Sequence, residues 1–538
     1  MPIHFHYLPY RDTGYFSSLV NDYLDQKNSL RCFYTFGPDE KGLEEAITAR
    51  AGFPVDRSTL VATLQKQYEH IPAHEAVQRN IALLANDNTF TVCTAHQPNL
   101  MTGYLYFIYK IIHAIKLAEE LGRKHPEKHF VPVYYMGSED NDLDELGTFR
   151  YEGRKFTWDA NGQQGAVGRM NTATLKPLLD ELFKLLGPPG ENLDTIKEII
   201  NHAYLQHDTI GAATQYLVSE LFGRYGLVIL DPDEAAFKQA YISVMKDDLL
   251  HHTPYRIVSE QSVNLGEEYR VQAYPRQINL FYITDNLRER IEQKDDHWLV
   301  INSNIQWTKD ELLAELEAHP ERFSPNVILR GMFQETILPN VAFIGGGAEV
   351  AYWLQLKTLF DHYKVCFPSI QLRQSVMWLN PQQDRLRRQT GFDINDIFRA
   401  ESTLIRDYVT MHSEHDWQTG NETAAVQAIM AQLKQKALTL DPTLKGSAEA
   451  VMAKIRYQLE VLEKKMLRAE KKKMQVQLLK ISRLKESLFP KHGLQERVEN
   501  FLSYFLTYGY DFFDLLKEHM QPLNSEFMVV IHSNEEST

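Results

Sequence analysis

The chain has few cysteines for its 538 residues: Cys32, Cys93 and Cys366 stand far apart, and none belongs to a Cys-x-x-Cys pair. That scarcity leaves no basis for a disulfide framework, and no zinc site is expected; three reduced thiols in apolar surroundings are. Long apolar runs are lacking too, and no stretch reaches the ~20 residues a membrane-crossing helix needs. The start, Met1-Pro2-Ile3-His4-Phe5-His6, has no basic region followed by an apolar one, so a signal peptide is not expected. An excess of positive charge is missing as well. Net charge is −14 and the pI is near 5.8, which argues against a nucleic-acid surface. What is present, 43% hydrophobic and 11% aromatic residues, suits an ordinary globular protein. At roughly 150 residues per domain, the length allows about two to four domains. The expectation is a cytoplasmic protein without membrane or nucleic-acid partners.

The most informative stretch is 89–144. Residues 89–94 read as a buried strand, 95–103 as a polar turn, a long amphipathic helix runs to about Leu121, and 130–136 read as a second strand. Two strands joined by such a helix form a right-handed βαβ unit with parallel strands. Both polar clusters, the turn with His96 and the loop Gly137-Ser138-Glu139-Asp140-Asn141-Asp142, then lie at carboxyl ends of neighbouring strands, where open α/β sheets bind ligands. An anionic ligand beside a metal or an amine is the implied pair.

Elsewhere, the first eighty residues read as largely helical, with Leu60, Leu64, Tyr68 and Ile71 at helical spacing. A polar, glycine-rich stretch at 151–168 begins an insertion, and helices fill 175–186 and 193–222. Strands are expected at 227–230, 277–284 and 339–344, then a helix at 348–363 and a strand around Val365-Cys366-Phe367 that stops at Pro368. The fold class is α/β: a doubly wound parallel-sheet core with two insertions, near 150–225 and 235–325, plus an α-helical antiparallel coiled coil. The expected divisions are a helical segment at 1–88, the core at 89–410, the coiled-coil arm at 411–487 and a helical return at 488–538.

The arm is read from its apolar stripes. Val426, Ile429, Leu433 and Ala437 form one; Met452, Ile455, Leu459, Leu462, Met466 and Ala469 form a heptad seam. The seam slips after Lys471-Lys472-Lys473, and Met474, Leu478 and Ile481 resume in a shifted frame, as a stutter does. The second helix outruns the first. A second copy of the chain is expected to cover the surplus, with the protein's own core as the alternative.

Candidate chemistry clusters at the strand ends. His96 and Asn99 stand three apart before a helix, whose free amides and positive dipole end hold phosphate well. Thr102 joins them as a catalytic candidate, and Gln97 and Gly103 as substrate-binding candidates; the plainer alternative makes Asn99 or Thr102 a helix cap and His96 a turn residue. Glu139, Asp140 and Asp142 are candidates for a substrate amine or Mg²⁺. An EF-hand is excluded, because Glu145 stands where that loop needs Gly. Asn326, Arg330, Gly347, Glu349 and Tyr352 are further substrate-binding candidates, with Arg330 suited to bidentate carboxylate recognition. Gly345-Gly346-Gly347 is not a P-loop, since no Gly-Lys-Ser/Thr follows.

These pieces, in this order, carry a resemblance. Leu100-Met101-Thr102-Gly103-Tyr104-Leu105-Tyr106 with Tyr109-Lys110 and Phe130-Val131-Pro132-Val133-Tyr134-Tyr135-Met136 with Ser138-Glu139-Asp140 come first. Ser324-Pro325-Asn326-Val327 with Arg330, Ile337-Leu338-Pro339-Asn340 and Gly347-Ala348-Glu349-Val350-Ala351-Tyr352-Trp353 follow. Leu488-Phe489-Pro490 and Leu494-Gln495-Glu496-Arg497 close the series. Over nearly its whole length the chain resembles the bacillithiol-synthesis cysteine-adding enzymes, the BshC family. The resemblance implies a Rossmann-like core related to class I aminoacyl-tRNA synthetases, with two connecting insertions and a coiled coil that makes a homodimer. It implies a ligase that forms an amide between L-cysteine and glucosaminyl-malate, the last step of bacillithiol biosynthesis, with ATP activating the carboxylate. ATP or ADP and Mg²⁺ are the expected cofactors. A second nucleotide site near the coiled coil would be supported by Gln495, Glu496 and Arg497.

Two departures stand out. The family's Gly-Gln-Gln is Ala95-His96-Gln97 here, and its Glu-Asp-His-Asp is Glu139-Asp140-Asn141-Asp142, so position 141 cannot titrate. No Lys-Met-Ser-Lys-Ser loop follows the last core strand; Arg373 and Ser375 are the nearest stand-ins. The alternatives are a non-catalytic scaffold that binds nucleotide or thiol metabolites, and a ligase for another amino sugar.

Overall fold

The computed structural model describes residues 2–72 and 74–533. At its centre are five parallel strands in the order Ser369–Leu372, Asn340–Gly345, Thr89–His96, His129–Met136, Val228–Leu230. The chain leaves Thr89–His96 in one direction for two strands and then returns to its other side. The order therefore reverses between Thr89–His96 and Asn340–Gly345, and the crevice beyond the carboxyl ends there is where doubly wound sheets bind ligands.

Both faces of this sheet are covered, which is why its strands are nearly continuous apolar runs. Every residue of Thr89–His96 is buried. Val131, Val133 and Tyr135 pack on one face with Phe333 and Phe343, while Tyr134 and Met136 pack on the other with the helix Leu105–Lys124. That helix links the first two strands.

The first insertion carries the hairpin Thr148–Tyr151/Arg154–Thr157 and helices that include Glu191–Gln206 and Ile210–Phe222. The second insertion holds the strand expected at 277–284. The strand there, Leu280–Thr284, belongs not to the core but to a separate antiparallel sheet with Leu287–Lys294, His297–Val300, Gln306–Trp307 and Phe323–Pro325. Apolar periodicity shows that a strand forms, but not which sheet takes it. The strand expected at Val365-Cys366-Phe367 starts after Pro368 instead, at Ser369–Leu372. Proline lacks an N–H, and here it precedes the ladder rather than ending it.

The N-terminal stretch opens on a strand, Ile3–Pro9, and not on a helix. It pairs antiparallel with Glu526–His532, which also pairs in parallel with Val376–Leu379. Strands near the two ends of the described residues are thus stapled together, and the expected helical return includes the strand Glu526–His532.

The arm is a helical hairpin. Gly420–Leu440 and Lys445–Lys473 run antiparallel, with Thr419 bonded to Glu463 at 2.8 Å and Lys434 to Glu449 at 2.6 Å. The helix breaks at Met474 (φ −105°, ψ 18°), where the heptads slip, before Gln475–Leu488. Leu478 and Ile481 pack on Leu404, Tyr408 and Val409 of the same chain. This part of the surplus seam is therefore covered by the protein itself, and not by a second copy. Among the described residues no helix is long and apolar enough to cross a membrane.

Candidate functional site

A cavity of about 440 Å³ opens at the carboxyl ends of the parallel strands, where their order reverses. Its lining brings together His96 and Gln97 from the first strand, Glu139 and Asp140 beyond the second, and Gly346, Gly347 and Glu349 beyond the fourth. Asn326, Arg330 and Tyr352 complete the set of sequence candidates that it gathers.

Local chemistry explains the mounting. Gly345 admits a tight turn into the helix Gly347–Trp353: a Cβ there would lie 2.9 Å from the Cβ of Glu349. Glu349 then folds back and accepts the Gly346 N–H at 2.8 Å. The same carboxylate forms an ion pair with Lys110, a buried lysine that also donates to the Ala95 carbonyl at 2.9 Å. Burial pushes the Lys110 ammonium below its ordinary range, against the opposing pull of Glu349. Arg330 donates to the Tyr352 hydroxyl at 2.6 Å and lies 5.6 Å from the Tyr135 ring centre. Arg288 bonds Ser324 at 3.2 Å and Asn141 at 3.0 Å. Asp140 accepts from Gln97 at 3.2 Å.

His96 is 8% exposed, and its ring centre lies 5.4 Å from Tyr106 and 5.3 Å from Phe107. Burial first, then Lys110 and Arg373, hold its pKa well below the ordinary value, so the imidazole is neutral. Its Nε2 is buried and has no hydrogen-bond partner among the described residues. A neutral ring with a free nitrogen can bond a ligand without carrying charge.

Other expected residues fall elsewhere. Asn99, Thr102 and Gly103 are buried in the turn but do not line the cavity. The long helix starts only at Leu105, and several amides of the turn are already used. Met101 N–H donates to the Tyr204 hydroxyl at 2.9 Å, Thr102 N–H to Asn99 at 3.0 Å and Leu105 N–H to Glu499 at 2.9 Å. These amides are closed to a phosphate. The acidic residues do not converge either. Glu139 is paired with the buried Lys238 at 2.5 Å, and Asp142 caps the turn Leu143–Leu146 away from the cavity. Among the described residues no three His, Cys, Asp or Glu side chains gather around a metal-sized position. Gln495 and Glu496 are buried in structural bonds, to Trp378 and Arg373 respectively.

Several lining residues were not among the site candidates of the sequence: Lys110, Arg288, Tyr106 and Glu145, while Arg373 was named only as a stand-in for a missing loop. Lys110 did leave a signal, since it interrupts the apolar run of Leu105–Lys124, and a lysine there requires a partner. Arg288 left none, because it lies on a polar strand of the second insertion.

With this geometry in view, comparison with known proteins is decisive. The N-terminal Rossmann-like domain of bacillithiol biosynthesis BshC matches residues 3–374, and its C-terminal coiled-coil domain matches 376–532. The chain belongs to the BshC family. A relative from Flavobacterium johnsoniae, described as "Putative cysteine ligase BshC", is 40% identical over 97% of this chain and 99% of its own. The protein so described from Flavobacterium psychrophilum is 39% identical over 98% and 99%, and that from Christiangramia forsetii 38% over the same shares. A solved structure described as a "putative arginyl t-RNA synthetase" from Campylobacter jejuni covers 82% of this chain and 95% of its own at 9% identity, with a TM-score of 0.24. The boundary between the two BshC domains falls beside Arg373, whose buried pair with Glu496 joins one domain to the other.

Proposed function

We propose that this BshC-family chain is an ATP-dependent cysteine ligase that forms an amide between L-cysteine and the amine of glucosaminyl-malate, completing bacillithiol in the cytoplasm. One observation carries the reading: a single cavity presents groups of both signs that are not joined in close ion pairs. Among the described residues, Arg288, Arg330 and Arg497 have no carboxylate within 4.0 Å, and Asp140 and Glu145 have no cation. The substrates have the matching charges, with carboxylates and phosphates on one side and ammonium groups on the other.

The guanidinium groups suit carboxylate and phosphate oxygens, which they grip in bidentate fashion. ATP supplies the leaving group that turns an inert carboxylate into an acyl donor. The amine must lose its proton to attack. Glu145 lies above the usual carboxylate range, through burial first and then the fields of Asp142 and Asp140, and so is suited to accept it. His96 would donate or accept a hydrogen bond as a neutral ring. Mg²⁺ would arrive on the nucleotide phosphates, since it needs only one or two carboxylates, with Asp140 and Glu145 at hand. The exposed Ile429, Leu433, Val451, Tyr457 and Leu462 of the arm are the surface on which a second copy would pack in a homodimer.

Purified protein supplied with cysteine, glucosaminyl-malate, ATP and Mg²⁺ is expected to yield bacillithiol by mass spectrometry, with AMP or ADP identified by chromatography. Nucleotide binding without product would favour a scaffold, and product from a different amino sugar would redefine the acceptor.

A further inference from the structure

The single turn Gln495–Arg497, where the chain re-enters the body after the arm, is bolted to its surroundings. Gln495 accepts the Trp378 N–H at 2.9 Å and donates to the Trp378 carbonyl at 3.3 Å. Glu496, 0% exposed, accepts two guanidinium N–H groups of Arg373 at 2.8 and 2.5 Å and the Ser375 hydroxyl at 3.2 Å. Three residues on, the Asn500 amide donates to the Met101 and Gly103 carbonyls at 2.8 and 2.6 Å. Only Arg497 of this turn is exposed, and it lines the core cavity.

Arg373 lines the same wall, but Glu496 cancels its charge. Arg497 is left as that wall's uncancelled cation, with no carboxylate within 4.0 Å among the described residues. The fixed backbone places the guanidinium of Arg497 at the cavity, where its planar fork suits an oxyanion. The resemblance had assigned this residue to a separate nucleotide site. The geometry points to a different role: Arg497 is a substrate-contacting residue of the core cleft that binds an anionic oxygen group, and Glu496 is its positioning residue. The C-terminal domain thus supplies a wall of the reaction site as well as the arm. Only the identity of the anion, an acceptor carboxylate or a nucleotide phosphate, rests on the ligase reading; the location does not.

The test uses full-length Arg497→Met and Arg497→Lys, with KM for ATP, for the acceptor and for cysteine measured separately. Arg497→Met is expected to raise one KM by roughly ten-fold or more, as loss of a charge-assisted hydrogen bond does. Arg497→Lys should recover part of the loss, with melting temperature unchanged in both. A rise confined to ATP assigns the phosphate, and one confined to the acceptor assigns its carboxylate. All three constants within about twofold of wild type, or a fall in kcat alone, would overturn the assignment. Glu496→Gln should lower the melting temperature and move the same KM that Arg497→Met moves, since it frees both the turn and the charge of Arg373; a change confined to a different KM would overturn the positioning role. If the wild type shows no turnover, the ligase reading fails by itself, and calorimetry of ATP and of L-malate against wild type and Arg497→Met decides instead. Weaker binding of either ligand to the variant supports the assignment. Equal affinities, or no binding of either to the wild type, overturn it.

Discussion

Two strand-to-helix junctions flank the reversal of the sheet, and they use the same ingredients in opposite ways. After Thr89–His96, the polar turn has its amides taken by distant partners, Tyr204 and Glu499, and closes. After Asn340–Gly345, the glycine turn has its first amide taken by a local carboxylate, Glu349, which remains at the cavity wall and pairs with Lys110. Both junctions read as anion sites from spacing alone, because spacing locates helix starts. Whether the donors are free depends on residues far away in sequence. In a large α/β protein an open helix start is therefore a question of packing, and the charged wall around it matters more than the turn.

Removing the lysine at the open junction should have the largest effect. Lys110→Met leaves Glu349 without its cation at a site where the lysine side chain is 5% exposed and the glutamate 20%. Breaking such a pair costs about 3–5 kcal/mol, mostly through the stranded charge. Denaturant unfolding should show that loss, and adding Glu349→Gln should restore much of it. A double variant no more stable than the single one would mean that Lys110 acts through packing and not through charge.

The sealed junction should respond less. Asn500→Ala leaves the Met101 and Gly103 carbonyls short of a donor inside the protein, a loss of about 1–3 kcal/mol. Thermal melting should register it. If Asn500→Ala also creates phosphate-dependent stabilisation that the wild type lacks, the turn is an anion site held shut; if it does not, the seal is purely structural.

This contrast also marks what was legible in the sequence. The buried runs Thr89–His96 and His129–Met136 were, because a strand covered on both faces needs apolar residues throughout. The meeting of the His96 turn with Glu139 and Asp140 at one cavity followed from parallel pairing. The strand Glu526–His532, though plainly apolar, falls within the expected helical return, since its partners Val376–Leu379 and Ile3–Pro9 lie about 150 and more than 500 residues away. Arg288 could not be foreseen as part of the wall, because an insertion delivers it. The arm was legible because its contacts are local, down to the slip at Met474.

The smallest expected effect concerns acid stability and separates the two readings of His96. Its native pKa lies well below that of the unfolded chain, through burial first and then Lys110 and Arg373. Below the unfolded value near 6.5, the unfolded chain therefore binds the proton that the native ring refuses. Stability contributed by the neutral ring is fully present above that pH and falls as pH drops through it, by up to about 1.4 kcal/mol per pH unit. His113, held at about 3 chiefly by burial, adds to the same slope. His96→Gln removes one of these two contributions, so its stability should decline less than that of wild type between about pH 6.5 and 5. Equal slopes would mean that the ring takes up its proton in the folded protein. His96 would then be a charged group in the cavity, and the first junction would regain the anion-binding character that its sealed amides deny it.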